Sequence, residues 1–288
     1  MGIRNNILIA FLFLCSCSSM NIVNNSNCLY PQHSPYPGGV LNIQLNEFLH
    51  DENLEDIKIG QKSPFICRSE FKVINLISPI PLTSKETKIE IVLNNKTIKT
   101  IPLIDKEYRE SRITIIDSNM VNPSKEILPR IRMEASIIQA AKNINRITNY
   151  SLLPMIMPTS GIESSEFGVR RFINGNPRNR HTGLDIAAPE GTNVYAPLDG
   201  LVLFSEEFFY RGNIIYIDHG NGLISSFSHL QESLVKKNKK VKTGDLIGKV
   251  GKTGRVTGPH LHWEVSILGT TVDPKLFLKT INNSLDNL

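Results

Sequence analysis

The side chains in this chain best placed to do chemistry are histidines and one aspartate. The stretch Gly258-Pro259-His260-Leu261-His262-Trp263-Glu264-Val265 sets two imidazoles two residues apart, followed by alternating apolar residues, and reads as the start of a β-strand. Strand side chains alternate faces, so His260 and His262 point the same way and Leu261 points to the other. Upstream, Arg180-His181-Thr182-Gly183-Leu184-Asp185-Ile186 supplies a histidine and an aspartate four residues apart. Neutral imidazole and carboxylate suit Zn²⁺, and catalytic zinc typically takes three protein ligands and one water. His181, Asp185 and one of the two downstream histidines make such a set. A further histidine, His229, ends the alternating run Ser226-Phe227-Ser228-His229-Leu230.

Other chemistry-bearing residues lack partners. A His-x-His pair by itself is often just solvated or hydrogen-bonded, and His33 and His50 have no ligand-spaced neighbours and read as surface residues. His219 lies in an Asp-His-Gly turn and reads as structural or exposed. Gly251-Lys252-Thr253 looks like the end of a phosphate loop, but the required earlier glycine falls on Leu246 and no helix follows, so two glycine turns are the better reading. No G-x-S-x-G elbow supports a serine hydrolase. A structural zinc site is usually closed by four ligands, often cysteine, and Cys15, Cys17, Cys28 and Cys67 all lie far upstream of the histidines.

Three segments in this order resemble the lysostaphin-type (LytM-like) zinc endopeptidases of family M23: H-x-x-x-D at His181, the aromatic-x-H-L run Phe227-Ser228-His229-Leu230, and G-P-H-L-H at Gly258. Glu166-Phe167-Gly168-Val169-Arg170, Ala188-Pro189-Glu190-Gly191-Thr192 and Gly251-Lys252-Thr253-Gly254 match as well, so the resemblance covers about residues 155–277. It implies that His181, Asp185 and His262 bind Zn²⁺ and that His229 and His260 are non-ligand catalytic histidines. Phe227 stands where many members carry Tyr, which removes a phenolic hydroxyl. The activity implied is a zinc-dependent metalloendopeptidase that hydrolyses peptide cross-links of bacterial peptidoglycan, with the peptide stems as partner. No H-E-x-x-H glutamate is present, so imidazole must carry the proton chemistry, and which histidine is the base stays open. The alternative is a non-catalytic peptidoglycan-binding or amidase-activating protein on the same fold. Such members lack metal ligands, whereas all three ligands and both further histidines are present here.

The elements that must position these residues are mainly β. From Pro154 onward, runs at Val194-Ala196, Leu201-Phe204, Ile214-Ile217, Leu223-Phe227, Leu246-Val250 and Leu261-Ile267 read as strands separated by glycine turns. No long helix separates them, so an antiparallel sheet is expected over a peptidase domain at 151–280, followed by a tail at 281–288. Upstream, short alternating segments at Val40-Leu45, Phe71-Ile77, Lys88-Leu93, Thr97-Leu103 and Arg112-Ile116 predict a β-sandwich over 39–120, with a tight turn at Asn94-Asn95. This module is similar to the immunoglobulin-like units that precede some M23 domains. Between the two lies a helical linker at 121–150. Asn122-Pro123 opens it, Pro129 kinks or restarts it, and Ile131, Ile137, Ile138, Ala141 and Ile144 form its apolar face.

With 288 residues, 40% hydrophobic and 20% charged, the chain can build two modest cores and is not broadly disordered. A net charge of +5 is mild, and no basic patch with interleaved aromatics points to nucleic acid. The run Lys236-Lys237-Asn238-Lys239-Lys240 reads as a solvated loop. One basic residue, the eight apolar residues Ile7–Leu14 and then small residues read as a secretory signal at 1–16, since spanning a membrane takes about 20. Leu14-Cys15-Ser16-Cys17 resembles a bacterial lipobox that would place lipid on Cys17, with a tether at 17–38. The protein is thus expected in the cell envelope, exported and lipid-anchored at the membrane, which is the periplasm or outer membrane if the cell is Gram-negative. Cys28 and Cys67 then remain as an even pair that an oxidising compartment allows to join.

Overall fold

The computed structural model describes residues 22–24, 31–45, 54–68, 74–116, 118–148 and 154–278. The expected 1–16 signal, Cys15, Cys17, Cys28, His50, the expected 281–288 tail and half of the expected 17–38 tether lie outside the described residues. The fold is mostly β.

The first strands are β1 (Ile22–Asn24), β2 (Val40–Leu45), β3 (Lys58–Ile59) and β4 (Phe65–Arg68). They are followed by β5 (Ile74–Pro79), β6 (Lys88–Leu93), β7 (Lys96–Pro102) and β8 (Glu110–Ile113). Two small sheets result, one in the order β1-β4-β5-β2 and one in the order β3-β6-β7. Asn94 and Asn95 join β6 to β7 with φ of 50° and 61°, the left-handed pair that a two-residue hairpin turn demands. Leu41, Ile43, Ile66 and Leu76 of the first sheet share one core cluster with Ile59, Ile91, Leu93 and Ile101 of the second. Side chains of opposite parity on the first sheet, Val40, Phe65, Cys67 and Ile77, belong instead to the core of the C-terminal half. Alternation therefore buries this sheet on both faces. Cys67 is disulfide-bonded.

The helical segment differs from the sequence expectation. A short α1 (Ser118–Val121) precedes α2 (Leu128–Lys142), and Pro129 lies in the first turn of α2, where its missing N–H costs nothing, so it neither kinks nor restarts a helix begun at Asn122. Ala141 is buried and Ile138 and Ile144 pack beside it, whereas Ile137 is 39% exposed. Glu134 occupies the inward stripe and accepts hydrogen bonds from the Phe209 N–H at both carboxylate oxygens, at 3.1 and 2.9 Å. No described helix is long and apolar enough to cross a membrane.

The C-terminal half holds β9 (Ile162–Ser165), β10 (Arg170–Ile173), β11 (Asn176–Pro177), β12 (Leu184–Ala187), β13 (Asn193–Tyr195) and β14 (Gly200–Phe208). It continues with β15 (Gly212–Gly220), β16 (Leu223–Ser233), β17 (Lys240–Val241), β18 (Leu246–Val250), β19 (His260–Ile267) and β20 (Thr270–Val272). The main sheet runs β17-β14-β15-β16-β19-β12-β9, with neighbouring strands antiparallel as the absence of crossover helices requires. β10 departs from this, pairing in parallel with β8 across a long sequence separation. One face of the main sheet, with Ile215, Ile217, Phe227, Leu261, Trp263 and Val265, is the principal core. On the other face α2 covers Ile214, Tyr216 and Ile224, leaving the ends of β12, β16 and β19 open beside it.

Candidate metal and catalytic site

The site is built on three neighbouring strands. β12 and β19 pair so that Asp185 stands opposite His262, and β16 and β19 pair so that Ser228 stands opposite His262 and Ser226 opposite Glu264. Along β19 the odd-numbered Leu261, Trp263, Val265 and Ile267 enter the core, so His260, His262 and Glu264 share the open face. Gly183 is required beside them: a Cβ there would stand 2.8 Å from His262 Cε1.

His181 Nε2, Asp185 Oδ1 and His262 Nδ1 form a triangle with sides of 2.9, 3.0 and 2.7 Å. All three residues are buried, and they are the group among the described residues whose ligand atoms converge as a metal would require. A tetrahedral ion with bonds of about 2.0–2.1 Å spaces its ligand atoms about 3.3 Å apart, a few tenths of an ångström from what is observed. The donor set therefore fits a borderline cation such as Zn²⁺. The outward nitrogens are also fixed as a metal site needs. His181 Nδ1 donates to the Glu166 carbonyl at 2.7 Å, leaving the Nε2 lone pair inward. His262 Nε2 faces the Glu264 carboxylate at 3.6 Å, leaving Nδ1 inward. Asp185 keeps its second oxygen on Arg171 Nη2 at 2.7 Å.

Electrostatics agree with that assignment. Burial favours the neutral form of Asp185, but its contacts with the His181 and His262 imidazoles outweigh it and hold the carboxyl well below its usual range. Burial pushes His181 below the ordinary imidazole value, which keeps it a neutral donor. Burial acts the same way on His262, yet Asp185 and Glu264 reverse it and raise the group, the mark of a position that favours positive charge. Glu264 is itself 2% exposed and meets Arg211 at 3.0 Å, Lys142 of α2 at 3.3 Å and the Thr182 hydroxyl.

Two more histidines flank the triangle. His229 is 4.9 Å from His260 and 5.9 Å from His262 between ring centroids. His229 Nδ1 donates to the Thr253 carbonyl and His260 Nδ1 to the Gly258 carbonyl, both at 2.9 Å, so Nε2 is the nitrogen each ring has left for chemistry. His260 Nε2 stands 3.9 Å from Asp185 Oδ1. Burial, then the neighbouring His262 and His260, push His229 well below its ordinary value, so it is neutral at pH 7. Regular alternation would send His229 into the core beside Phe227. Instead its φ is +64°, the strand bulges there, and Leu230 takes the core position while the imidazole turns to the open face. Left-handed backbone costs a non-glycine residue about 1–2 kcal/mol, which the hydrogen bond from His229 N–H to Arg211 O at 2.8 Å and the Thr253 contact offset. The Gly251-Lys252-Thr253 segment is thus a turn that holds this histidine.

The five residues singled out by sequence converge, while His33 is exposed elsewhere and His219 is buried at the opposite end of β15. Glu264 went unread, although it continues the same His260, His262 alternation. Lys142 of α2, Arg171 of β10 and Arg178, Arg211 and Arg255 of separate loops carry no local signal. They line a groove of about 800 Å³ beside His181, His229 and His262. A smaller recess of about 190 Å³ over Asp185, His229 and His260 is walled by Ser111, Ile113 and Ile115 of the N-terminal half.

Comparison with known proteins centres on the same region. Residues 179–274 match peptidase family M23. The chain is 45% identical over 111 residues to the peptidoglycan DD-endopeptidase ShyA of Vibrio cholerae, covering 38% of this chain and 26% of that protein. It is 42% identical over 111 residues to the DD-carboxypeptidase/endopeptidase Mpg of Neisseria meningitidis, with the same coverage of 38% and 26%. The match thus spans about a quarter of the length of these curated relatives. A crystal structure from Pseudomonas aeruginosa assigned to peptidase M23 is similar over far more of the molecule, with a TM-score of 0.66 and 30% identity, covering 87% of this chain and 98% of that one.

Proposed function

Because the chain belongs to peptidase family M23, we propose that it is a zinc metalloendopeptidase hydrolysing the peptide cross-links of peptidoglycan. The observation that carries this reading is the division of four histidines in one cleft. Two have their outward nitrogens fixed and their inward nitrogens in a triangle with Asp185, and two stand beside that triangle with Nδ1 held by a backbone carbonyl and Nε2 left for chemistry. Zn²⁺ held by His181, Asp185 and His262 supplies Lewis acidity for carbonyl polarisation and water activation. The protein's own groups carry the proton. One of His229 and His260 takes it from the attacking water at Nε2 and returns it to the leaving amine nitrogen. The other, with its ring 4.9 Å away and a proton on its own Nε2, would donate to the oxygen that gains charge as the carbonyl is attacked. Glu264 and Arg171 hold His262 and Asp185 in orientation throughout.

The substrate class rests on the DD-endopeptidases described above, and the envelope location on the same likeness. Export through residues 1–16 and a lipid on Cys17 rest on the Leu14-Cys15-Ser16-Cys17 run. Digestion of purified peptidoglycan by the zinc-loaded chain, read by mass spectrometry, is expected to convert cross-linked dimers into monomers and to stop on chelation. Activity undiminished after rigorous metal removal, or fragments with every peptide bond intact, ends this reading. Cys17→Ser is expected to shift the protein from the membrane to the soluble fraction, and unchanged fractionation removes the anchor from the proposal.

A further inference from the structure

The groove beside the triangle holds more positive charge than its own carboxylates balance. Of its six cationic side chains, Arg171 is paired with Asp185, and Arg211 and Lys142 share the single carboxylate of Glu264. Arg178, Arg180 and Arg255 have no carboxylate within salt-bridge distance among the described residues. Arg180 lies over the Tyr108 ring at 5.4 Å and Arg255 over the Tyr210 ring at 4.3 Å, contacts that fix a guanidinium plane without neutralising it.

What Arg178 and Arg255 touch is weaker still. Arg178 Nη2 donates to the Val121 carbonyl and Arg255 Nη1 to the Met120 carbonyl, each at the long distance of 3.3 Å. Arg178 Nε is buried and has no hydrogen-bond partner among the described residues. A buried guanidinium N–H without an acceptor is costly, and such groups in native proteins call for a missing partner. Burial, with Arg171, Arg178 and Arg211 adding to it, pushes Arg255 below its ordinary value, so these cations repel one another until an anion enters.

We propose that Arg178 and Arg255 form a carboxylate-binding subsite that reads a free carboxylate on the substrate peptide beside the bond being cleaved. The proposal rests on the peptidase reading above and adds to it a specificity element. Guanidinium presents a planar fork of N–H donors that matches a carboxylate with two parallel hydrogen bonds. Arg178 comes from the loop between β11 and β12 that also brings His181, and Arg255 from the turn that carries Thr253, the acceptor for His229. A carboxylate held by both would tie the substrate to the two segments that position a metal ligand and a proton-handling histidine.

The test uses the full-length, zinc-loaded protein and two synthetic D,D-linked peptides with an uncleavable isostere at the linkage. One carries a free carboxylate on the residue beside the linkage and the other a carboxamide. Calorimetry is expected to give about 10–100-fold tighter binding of the carboxylate peptide, with the preference shrinking as salt is raised. Arg178→Gln and Arg255→Gln are each expected to remove most of that preference while leaving carboxamide binding, zinc content and the circular dichroism spectrum unchanged, and Arg178→Lys to restore part of it. With cleavable peptides the same loss should appear in KM, with kcat within a few-fold. Equal affinity of the wild-type protein for both peptides overturns the subsite without any variant, as does full preference in both glutamine variants. A protein that prefers the carboxylate peptide yet cleaves neither cleavable form keeps the subsite and ends the peptidase reading. One that cleaves both with equal KM does the reverse.

Discussion

Buried histidines lie at two ends of the same antiparallel sheet, and they are built differently. At the β15 turn, His219 Nδ1 meets the Asp199 carbonyl at 2.8 Å and Nε2 meets Ser225 Oγ at 2.6 Å. Beside it Asp218 is paired with Arg146 at 2.6 Å. Every polar atom of that imidazole is spoken for by a neutral partner, and its pKa is pushed down to about 4 by burial. At the β19 end, His181 and His262 each satisfy one nitrogen outward and turn the other toward a shared carboxylate, while His229 and His260 satisfy Nδ1 on a backbone carbonyl and keep Nε2 for a ligand. Burial alone does not distinguish the two ends, since His219 and His262 are 3% and 6% exposed. The difference is whether the second nitrogen is committed to the fold or left to a ligand.

Five variants sharpen that contrast, beginning with the greatest effect. His262→Ala removes a corner of the triangle, so zinc content by elemental analysis and turnover should be lost together, by more than the cost of losing a proton-handling group. His260→Ala and His229→Ala should each retain zinc while turnover falls about 10²–10⁴-fold. If either loses zinc while His262→Ala keeps it, the ligand and proton roles are exchanged. Glu264→Gln leaves all five residues in place but weakens the orientation of His262, with an expected loss of about 10–100-fold in zinc affinity or activity. Competition with a chelator of known affinity measures it.

His219→Gln should leave zinc content and turnover unchanged and act on stability alone. His219 titrates near 4 when folded and near 6.5 when unfolded, so between those values the unfolded chain binds more protons. Its stabilising contribution is complete above pH 6.5 and is lost as pH falls to 4, by about 3 kcal/mol. Denaturant titrations of wild type and variant across this window should differ in slope, and parallel curves would show that His219 is not held neutral. A fall in turnover at neutral pH would make the β15 end functional and erase the contrast.

Much of the site could be read from sequence because it depends on strand parity and local spacing. His260 and His262 had to share a face once β19 was a strand, and the Asn94-Asn95 turn follows from the left-handed preference of asparagine. The orientation of His229 could not be read, because parity puts it in the core and a bulge with φ of +64° takes it out. The linker was misjudged at its start, where Pro129 opens α2 and the inward stripe includes a glutamate that simple apolar counting passes over. β3 and β4, two and four residues long, are too short to show a period. The groove arginines are set by loop geometry, and no local pattern announces which of many surface cations will meet around a cleft.

The sheet β1-β4-β5-β2, buried on both faces, has a consequence for how the molecule comes apart. Its opposite faces belong to separate apolar clusters, and Gln32 N–H and Asp273 N–H bond across to Leu276 and Gly38 at 3.1 and 3.0 Å. Peeling the N-terminal layer away would wet Val40, Phe65 and Ile77 together with the side chains they cover, at about 1.5–3 kcal/mol for each large residue. No hinge opening is cheap there. Native-state hydrogen exchange should therefore find the amides of β4 and β5 as slow as those of β16 and β19, released in one cooperative opening. A protease meeting the folded chain would have no halfway state from which to free the catalytic half intact.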